Sequence, residues 1–482
     1  MPAKLDRDLV LKEFEGVDLG DARRNRRLDL ILARAAQAPA ESFPDQMDTE
    51  AEQEALYRFL ANPNVTMDAL LAGHRQQTRD RIREHRLVRI VHDTTELSFE
   101  GEREGLGILR RGRKGFLVHT ALAVGGNDDR EPLGVIGVHP FVNKDVLENR
   151  RLTTAQQTAK KKAQSRAEKK SSRWERLVID VGGLVPPDIE AIHVMDQEAD
   201  DYTVFSALLA AKQRFVIRAE AKRFTANGDS IGAVLDGEAA NAFRLVQITA
   251  RSKKQATKQH PARDERLASL NVRWTRVTLA RPQSAAANTA EELSLWAVHV
   301  FEPSPPPGEI PIDWTLLTSE RVEDFDAAVA VVDHYRTRWL IEEYFKALKT
   351  GCAIEKRQLC SLDGLLRALG LFIPMAWTLL VLRYLGQQKN SRAAGFVLNV
   401  NQLLLLRAML DKRGRSFPQR PTVRDAMLGI AALGGHIKNN GDPGWLVLGR
   451  GFRKFAEAEE VWELATTAGM VHGTSPQRSD QS

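Results

Sequence analysis

Residues 335–351 read YRTRWLIEEYFKALKTG. At about 100° per residue, Tyr335, Arg338, Glu342 and Lys349 fall on one helical stripe about 60° wide. The stripe presents one carboxylate flanked by two cations and a phenol. On a plain surface helix, Arg338–Glu342 would be an i,i+4 pair, stabilising by only tenths of a kcal/mol. Yet Trp339, Leu340, Ile341, Tyr344 and Phe345 leave this helix little purely polar surface. A partly buried charged stripe needs a partner, and a metal ion or a phosphate would serve.

Two carboxylates upstream complete the pattern. The apolar run LVRIVHD (87–93) ends on Asp93, and VMDQEAD (194–200) places Asp196 at the C-terminal end of a strand. Ligands gather at that edge in open α/β sheets. Each aspartate alone is an ordinary turn residue. Together with a helix-borne Glu342 they suggest a three-carboxylate site. Hard Mg²⁺ or Mn²⁺ prefers oxygen ligands, and two such ions about 3.5–4 Å apart activate a water and stabilise a leaving oxygen. Strand-Asp, strand-Asp, helix-Glu is the order an α/β ribonuclease-H-like core supplies.

The remaining sequence arranges itself around this core. Asp21 caps a helix through ARRNRRLDLILARAAQ, whose first turns hold Arg23, Arg24, Arg26 and Arg27. Cations sit badly at that end of the helix dipole, and a phosphate would relieve them; a solvated arginine face is the equal alternative. A second helix stops at Asn62-Pro63. LVRIVHD, GFLVHTALAV and EPLGVIGVHPFV are spaced like an antiparallel meander. Residues 158–176 hold eight Lys or Arg against two Glu, with Trp174 near their end. Residues 225–320 are strand-rich, and the chain from Asp324 is mostly helical. The apolar stretch between Arg367 and Arg383 has 15 uncharged residues around Pro374, short of the ~20 a membrane span needs, and reads as a buried helix. His92 is expected on the strand face opposite Asp93, and His119 and His193 as core histidines.

Composition is ordinary for a globular chain: 482 residues, 43% apolar, 27% charged, with a net charge of 69 − 63 = +6. That excess names no partner. Two cysteines, Cys352 and Cys360, exclude a disulfide framework and a four-cysteine zinc site, and suit a reducing cytoplasm.

The sequence resembles the bacterial cut-and-paste DDE transposases of the Tn-five type. LGDARRNRRL and EALYRFLANPNV resemble that family's N-terminal DNA-recognition region, VHDTTELSF and VMDQEADDYTVF its two aspartate motifs, and LGGHIKNNGDPGW a C-terminal patch. Residues 335–351 carry its Tyr-(2)-Arg-(3)-Glu-(6)-Lys signature. The resemblance implies that Asp93, Asp196 and Glu342 are the catalytic, metal-binding triad, with two Mg²⁺ ions that Mn²⁺ can replace. It implies that Tyr335, Arg338 and Lys349 hold DNA phosphates, that Trp314 fills the space left by a flipped base, and that Trp339 stacks nearby. Without it, Trp314 would read as a core residue at a strand start. It marks Arg23, Arg27, Tyr57, Arg58, Lys114 and Arg173 as further DNA contacts, and EKKSSRW resembles a segment in which Lys169, Arg173 and Trp174 would touch a DNA end.

The implied architecture is a helical DNA-end-recognition domain (1–70), a ribonuclease-H-like catalytic domain (71–375) with a β-rich insertion (220–320), and a helical dimerisation domain (376–482). The implied activity is binding of terminal inverted repeats, then phosphodiester hydrolysis, hairpin formation and strand transfer. A homodimer acting on transposon ends and target DNA in a bacterial cytoplasm is expected, at the nucleoid when DNA-bound. A non-enzymatic DNA-binding repressor and a nuclease without strand transfer are the competing readings.

Overall fold

Val88 to His92 form a run of fully buried residues, which is what a strand covered on both faces requires. This run opens β1 (Leu87–Phe99), whose second half alternates buried and half-exposed positions. The structure, a computed structural model, describes residues 7–126, 130–142, 153, 172–240, 242–248, 261–283, 285, 289–388, 392–437 and 442–467. The further strands are β2 (Gly107–Ile108), β3 (Lys114–Gly125), β4 (Pro132–Phe141), β5 (Glu190–Met195), β6 (Arg214–Ala219), β7 (Ala242–Ile248), β8 (Arg266–Ala280), β9 (Glu292–Phe301) and β10 (Asp313–Thr318). They form one sheet in the order β2-β3-β1-β5-β6-β10-β9-β8-β7, with β4 also paired to β3.

The chain divides into two compact units. One comprises 78–96 and 107–342. In it β1, β5 and β6 run parallel, and β3 and β4 form the expected antiparallel pair. The helix Ser172–Gly182 lays Leu177 and Val181 on Val88, Ile90, Ala121 and Ile136. Phe205, Leu208, Phe215 and Ile217 form a second core with Trp174 and Val178. The strand-rich stretch continues the same sheet: β10 joins β6 antiparallel, and β9, β8 and β7 follow in antiparallel order.

The other unit comprises 1–77, 97–106 and 343–482, and is mostly helical among its described residues. Asp21 caps the helix Ala22–Gln37 by accepting from the Arg23 N–H, and Thr49 caps Glu50–Ala61, which ends at Asn62 as the Asn-Pro pair dictates. The helix Leu362–Gln387 is long and apolar enough to cross a membrane, but Leu369 to Trp377 are all buried within this unit. Val423–Leu433 and Trp445–Thr467 approach closely at glycines. A Cβ on Gly434 would lie 2.0 Å from the Val447 carbonyl oxygen. Arg357 is wholly buried, donates to the carbonyls of Pro39, Glu41 and Cys352, and lies over the Phe43 and Phe372 rings. Cys352 is buried and Cys360 exposed.

Candidate active site

The register of β1 and β5 brings the two aspartates together. Their last parallel pair is Val91↔Val194. Asp93 and Asp196 each lie two residues further on, so both return to the same face of the sheet at the same level, on strands ~4.8 Å apart. Asp93 does not end its strand, as the sequence suggested. It sits in the middle of the 13-residue β1, which runs past its parallel partner on TTELSF. Asp196 follows β5 directly and caps the short turn Gln197–Ala199 by accepting from the Glu198 N–H at 2.9 Å.

Glu342 comes from the helix Trp339–Lys346. The single helix expected over 335–351 is interrupted twice. Phe325–Arg336 ends at a tight turn through Thr337 and Arg338, where N–H groups bond three residues back. After Lys346 the chain widens into a π-helical turn, Ala347–Gly351, which carries Lys349. A uniform 100° step therefore does not describe Lys349 relative to Glu342. The Arg338–Glu342 pair survives, because both residues flank the start of one helix. The Arg338 guanidinium donates to Glu342 Oε1 at 2.5 Å and to Asp93 Oδ2 at 3.2 Å. Arg338 and Asp93 keep only 17% side-chain exposure. Tyr335 is buried behind this pair, and the half-buried Trp314, second residue of β10, meets its ring edge-on at 5.5 Å. Trp339 is 52% exposed.

The electrostatics follow from burial. Burial and then the charge of Asp196 push the Asp93 carboxyl up to about 7, while Arg338 pulls the other way. Burial also raises Asp196, against the Glu198 N–H and Arg338. Burial opposes the charge of Arg338, but Tyr335, Glu342 and Asp93 outweigh it and its pKa rises. The site thus holds two carboxylates that repel each other and one guanidinium tying one of them to a third.

Behind the aspartates, on the other sheet face, lies a row of imidazoles. His92 Nε2 and His193 Nδ1 share a hydrogen bond at 2.8 Å, and His193 Nε2 meets Gln213 Oε1 at 3.1 Å. His119 stacks on His92 at 5.9 Å, and its Nδ1 lies 2.9 Å from Thr94 Oγ1. Burial holds His193 down to about 4, and His92 and His119 well below the usual imidazole range, so all three are neutral. The expected orientation of His92 agrees with this. The row is only partly satisfied: His92 Nδ1, His119 Nε2 and Trp174 Nε1 are buried without a partner among the described residues.

The other candidate contacts separate by exposure. Arg23 and Arg58 are exposed and Arg27 and Tyr57 half-buried on the N-terminal helices, with Arg58 loosely paired to Glu54 at 3.8 Å. Lys114 begins β3 and is half-buried. Arg173 is 11% exposed, bonds Glu198 at 2.9 Å and lies over the Phe141 ring. Trp174 is 1% exposed and packs edge-on against His119 at 4.3 Å, so it is a core residue and not a DNA contact. Lys169 and most of the basic 158–176 segment lie outside the described residues. Sequence reasoning missed Arg218, which faces Tyr335 from β6; Arg110, in the basic turn GILRRGRKG, is 80% exposed beside Glu96 and Glu198.

Among the described residues, no three acidic, His or Cys groups converge closely enough to hold a metal as they stand. The donor chemistry nevertheless fits a hard divalent ion. Asp93 and Asp196 are oxygen donors, half-buried and mutually repelling, a state that a cation between them relieves.

Two family models match the chain. Residues 6–65 match the family described as Transposase DNA-binding, and residues 186–377 the family described as Transposase DDE domain. Among solved structures, the cryo-EM structure of a piggyBac transposase synaptic complex with hairpin DNA is similar at 10% identity and a TM-score of 0.35, over 98% of this chain and 76% of that one. The chain thus carries a DNA-binding domain and a DDE transposase domain. It is an enzyme that acts on DNA, with a ribonuclease-H-like core of a kind that uses divalent metal ions.

Proposed function

We propose that this DDE transposase binds the terminal inverted repeats of an insertion sequence of the Tn-five type and moves it by cutting and pasting. The observation that carries the reading is the co-facing of Asp93 and Asp196 at the end of a parallel strand pair, with Glu342 linked to Asp93 through Arg338. Asp93, Asp196 and Glu342 would hold two Mg²⁺ ions, or Mn²⁺ in their place. Bound there, these ions would supply an activated water and a Lewis acid for the leaving oxygen.

The protein's own groups do the rest. Arg338, Lys349 and Tyr335 grip phosphates around the scissile bond. Trp314 and Trp339 offer aromatic faces that replace the stacking a flipped base loses. One strand is nicked by water. The freed 3′-hydroxyl attacks the opposite strand to close a hairpin, which water reopens, and the 3′-hydroxyl then attacks target DNA. Residues 1–70 would recognise the ends, 71–375 would be the catalytic domain, with 220–320 as its β-rich insertion, and 376–482 would dimerise. The exposed Val461, Trp462 and Leu464 on the last helix support a homodimer contact. Arg23, Arg27, Tyr57, Arg58 and Lys114 remain candidate DNA contacts, and the site of action would be a bacterial cytoplasm, on the nucleoid.

The test mixes purified protein and Mg²⁺ with a DNA fragment ending in the repeats that flank its gene. Hairpin and strand-transfer products support the proposal. Cleavage alone indicates a nuclease, and binding alone a repressor.

A further inference from the structure

The guanidinium of Arg338 sits between two of the three carboxylates proposed to bind metal. One terminal nitrogen is 3.2 Å from Asp93 Oδ2 and the other is 2.5 Å from Glu342 Oε1. Its backbone is fixed by the tight turn, where the Arg338 N–H bonds the Tyr335 carbonyl at 3.0 Å. A planar fork holds its two carboxylates apart, one at each end. A divalent ion instead draws its oxygens in to about 2.0–2.6 Å around one centre. The two arrangements compete, because the fork holds Asp93 Oδ2 and Glu342 Oε1 at its two ends and because cation repels cation.

A guanidinium leaves such a pair only for a stronger anionic partner, and a DNA phosphate, which accepts the same fork bidentately, is the one this enzyme's substrate carries. We propose that Arg338 is an exchangeable counter-ion: without DNA it occupies the cation's place between Asp93 and Glu342, and a backbone phosphate must draw it off before divalent metal binds tightly. DNA and metal binding are then positively coupled, and the coupling is reciprocal. Away from DNA the hydrolytic site stays poor in metal. This inference rests on the proposed metal role of the three carboxylates.

The test measures Mn²⁺ affinity of the full DNA-free chain by electron paramagnetic resonance of the free ion. It compares wild type, Arg338→Gln, Arg338→Lys, Asp93→Asn, Glu342→Gln and the double variant Arg338→Gln/Asp93→Asn. Arg338→Gln is expected to bind Mn²⁺ at least tenfold tighter than wild type. Arg338→Lys keeps the charge but loses the fork, and should gain less. The gain should vanish in the double variant. Mn²⁺ should also tighten binding of a mixed-sequence 30-base-pair duplex several-fold in wild type and clearly less in Arg338→Gln.

If both single variants bind Mn²⁺ no tighter than wild type while Asp93→Asn abolishes binding, the counter-ion role is overturned and the metal site stands. If Asp93→Asn and Glu342→Gln leave Mn²⁺ binding untouched, the metal reading fails and this inference with it. An equal effect of Mn²⁺ on duplex affinity in wild type and Arg338→Gln overturns the coupling.

Discussion

Replacing Asp93 by Asn should stabilise the metal-free protein while destroying its activity. The Asp93 carboxyl is raised from 3.8 to about 7 by burial and by Asp196. The sign follows from linkage: a carboxyl whose folded pKa lies above its unfolded value favours folding when protonated, and that contribution is lost as pH rises through about 4 to 7. About 3 units at roughly 1.4 kcal/mol each set an upper bound of about 4 kcal/mol for holding Asp93 ionised. Asn keeps the shape and removes the charge, but leaves Arg338 one partner fewer, so about 2 kcal/mol is the expected net gain above pH 7. At ~2–4 °C per kcal/mol for a domain of ~150–250 residues, the melting midpoint should rise by several degrees. The assay is calorimetric melting of both proteins in EDTA at pH 5, 6, 7 and 8. The gain should be largest at pH 8 and shrink toward pH 5. If Asp93→Asn melts at or below wild type at pH 8, or gains the same amount at every pH, the carboxylates are not under the repulsion described.

Three further outcomes are expected. In the Asp93→Asn background, stability should fall as pH drops from about 6.5 to 4, because His193 and His334 are held near 4 in the fold and the unfolded chain binds the extra protons; urea midpoints that stay flat across that window would refute neutral burial. Gly434→Ala should lose about 2–3 kcal/mol or more, since its Cβ would strike the Val447 carbonyl oxygen at 2.0 Å and a backbone cannot step aside; a near-wild-type melting point would show that those helices are not so close. Arg357→Met should cost about 3–5 kcal/mol by stranding the carbonyls of Pro39, Glu41 and Cys352, measured by urea denaturation, with a loss under 1 kcal/mol counting against the buried network.

Local pattern carried much of the fold. Thr49 and Asn62 bracket a helix because one offers a cap and the other precedes proline. β7 to β10 fall where their β-branched and aromatic runs lie. What stayed hidden depends on partners distant in sequence. The Arg338–Asp93 contact joins residues 245 positions apart, so spacing shows Arg338 only as the neighbour of Glu342. The breaks at Thr337 and Ala347 escape a uniform helical count, because neither position holds a glycine or proline and hydrogen bonding makes the break. Trp174 was obscured by composition. The basic run dominates the segment, although Trp174, Leu177, Val178 and Val181 already form an i, i+3, i+4, i+7 apolar stripe. Isolated histidines in apolar strands carry no motif, and the register Ile90↔His193 is what turns His92 and His193 toward each other.

That imidazole row also gives the enzyme a natural reporter. Ring N–H protons sealed from solvent exchange slowly and stand apart in a proton spectrum from the crowded amide region. His92 is the chain neighbour of Asp93, and His193 lies on the strand that Asp196 directly follows. Changes at the front of the sheet, when metal or DNA arrives, should therefore be visible from its back as shifts in a few resonances, without a label on the reacting groups.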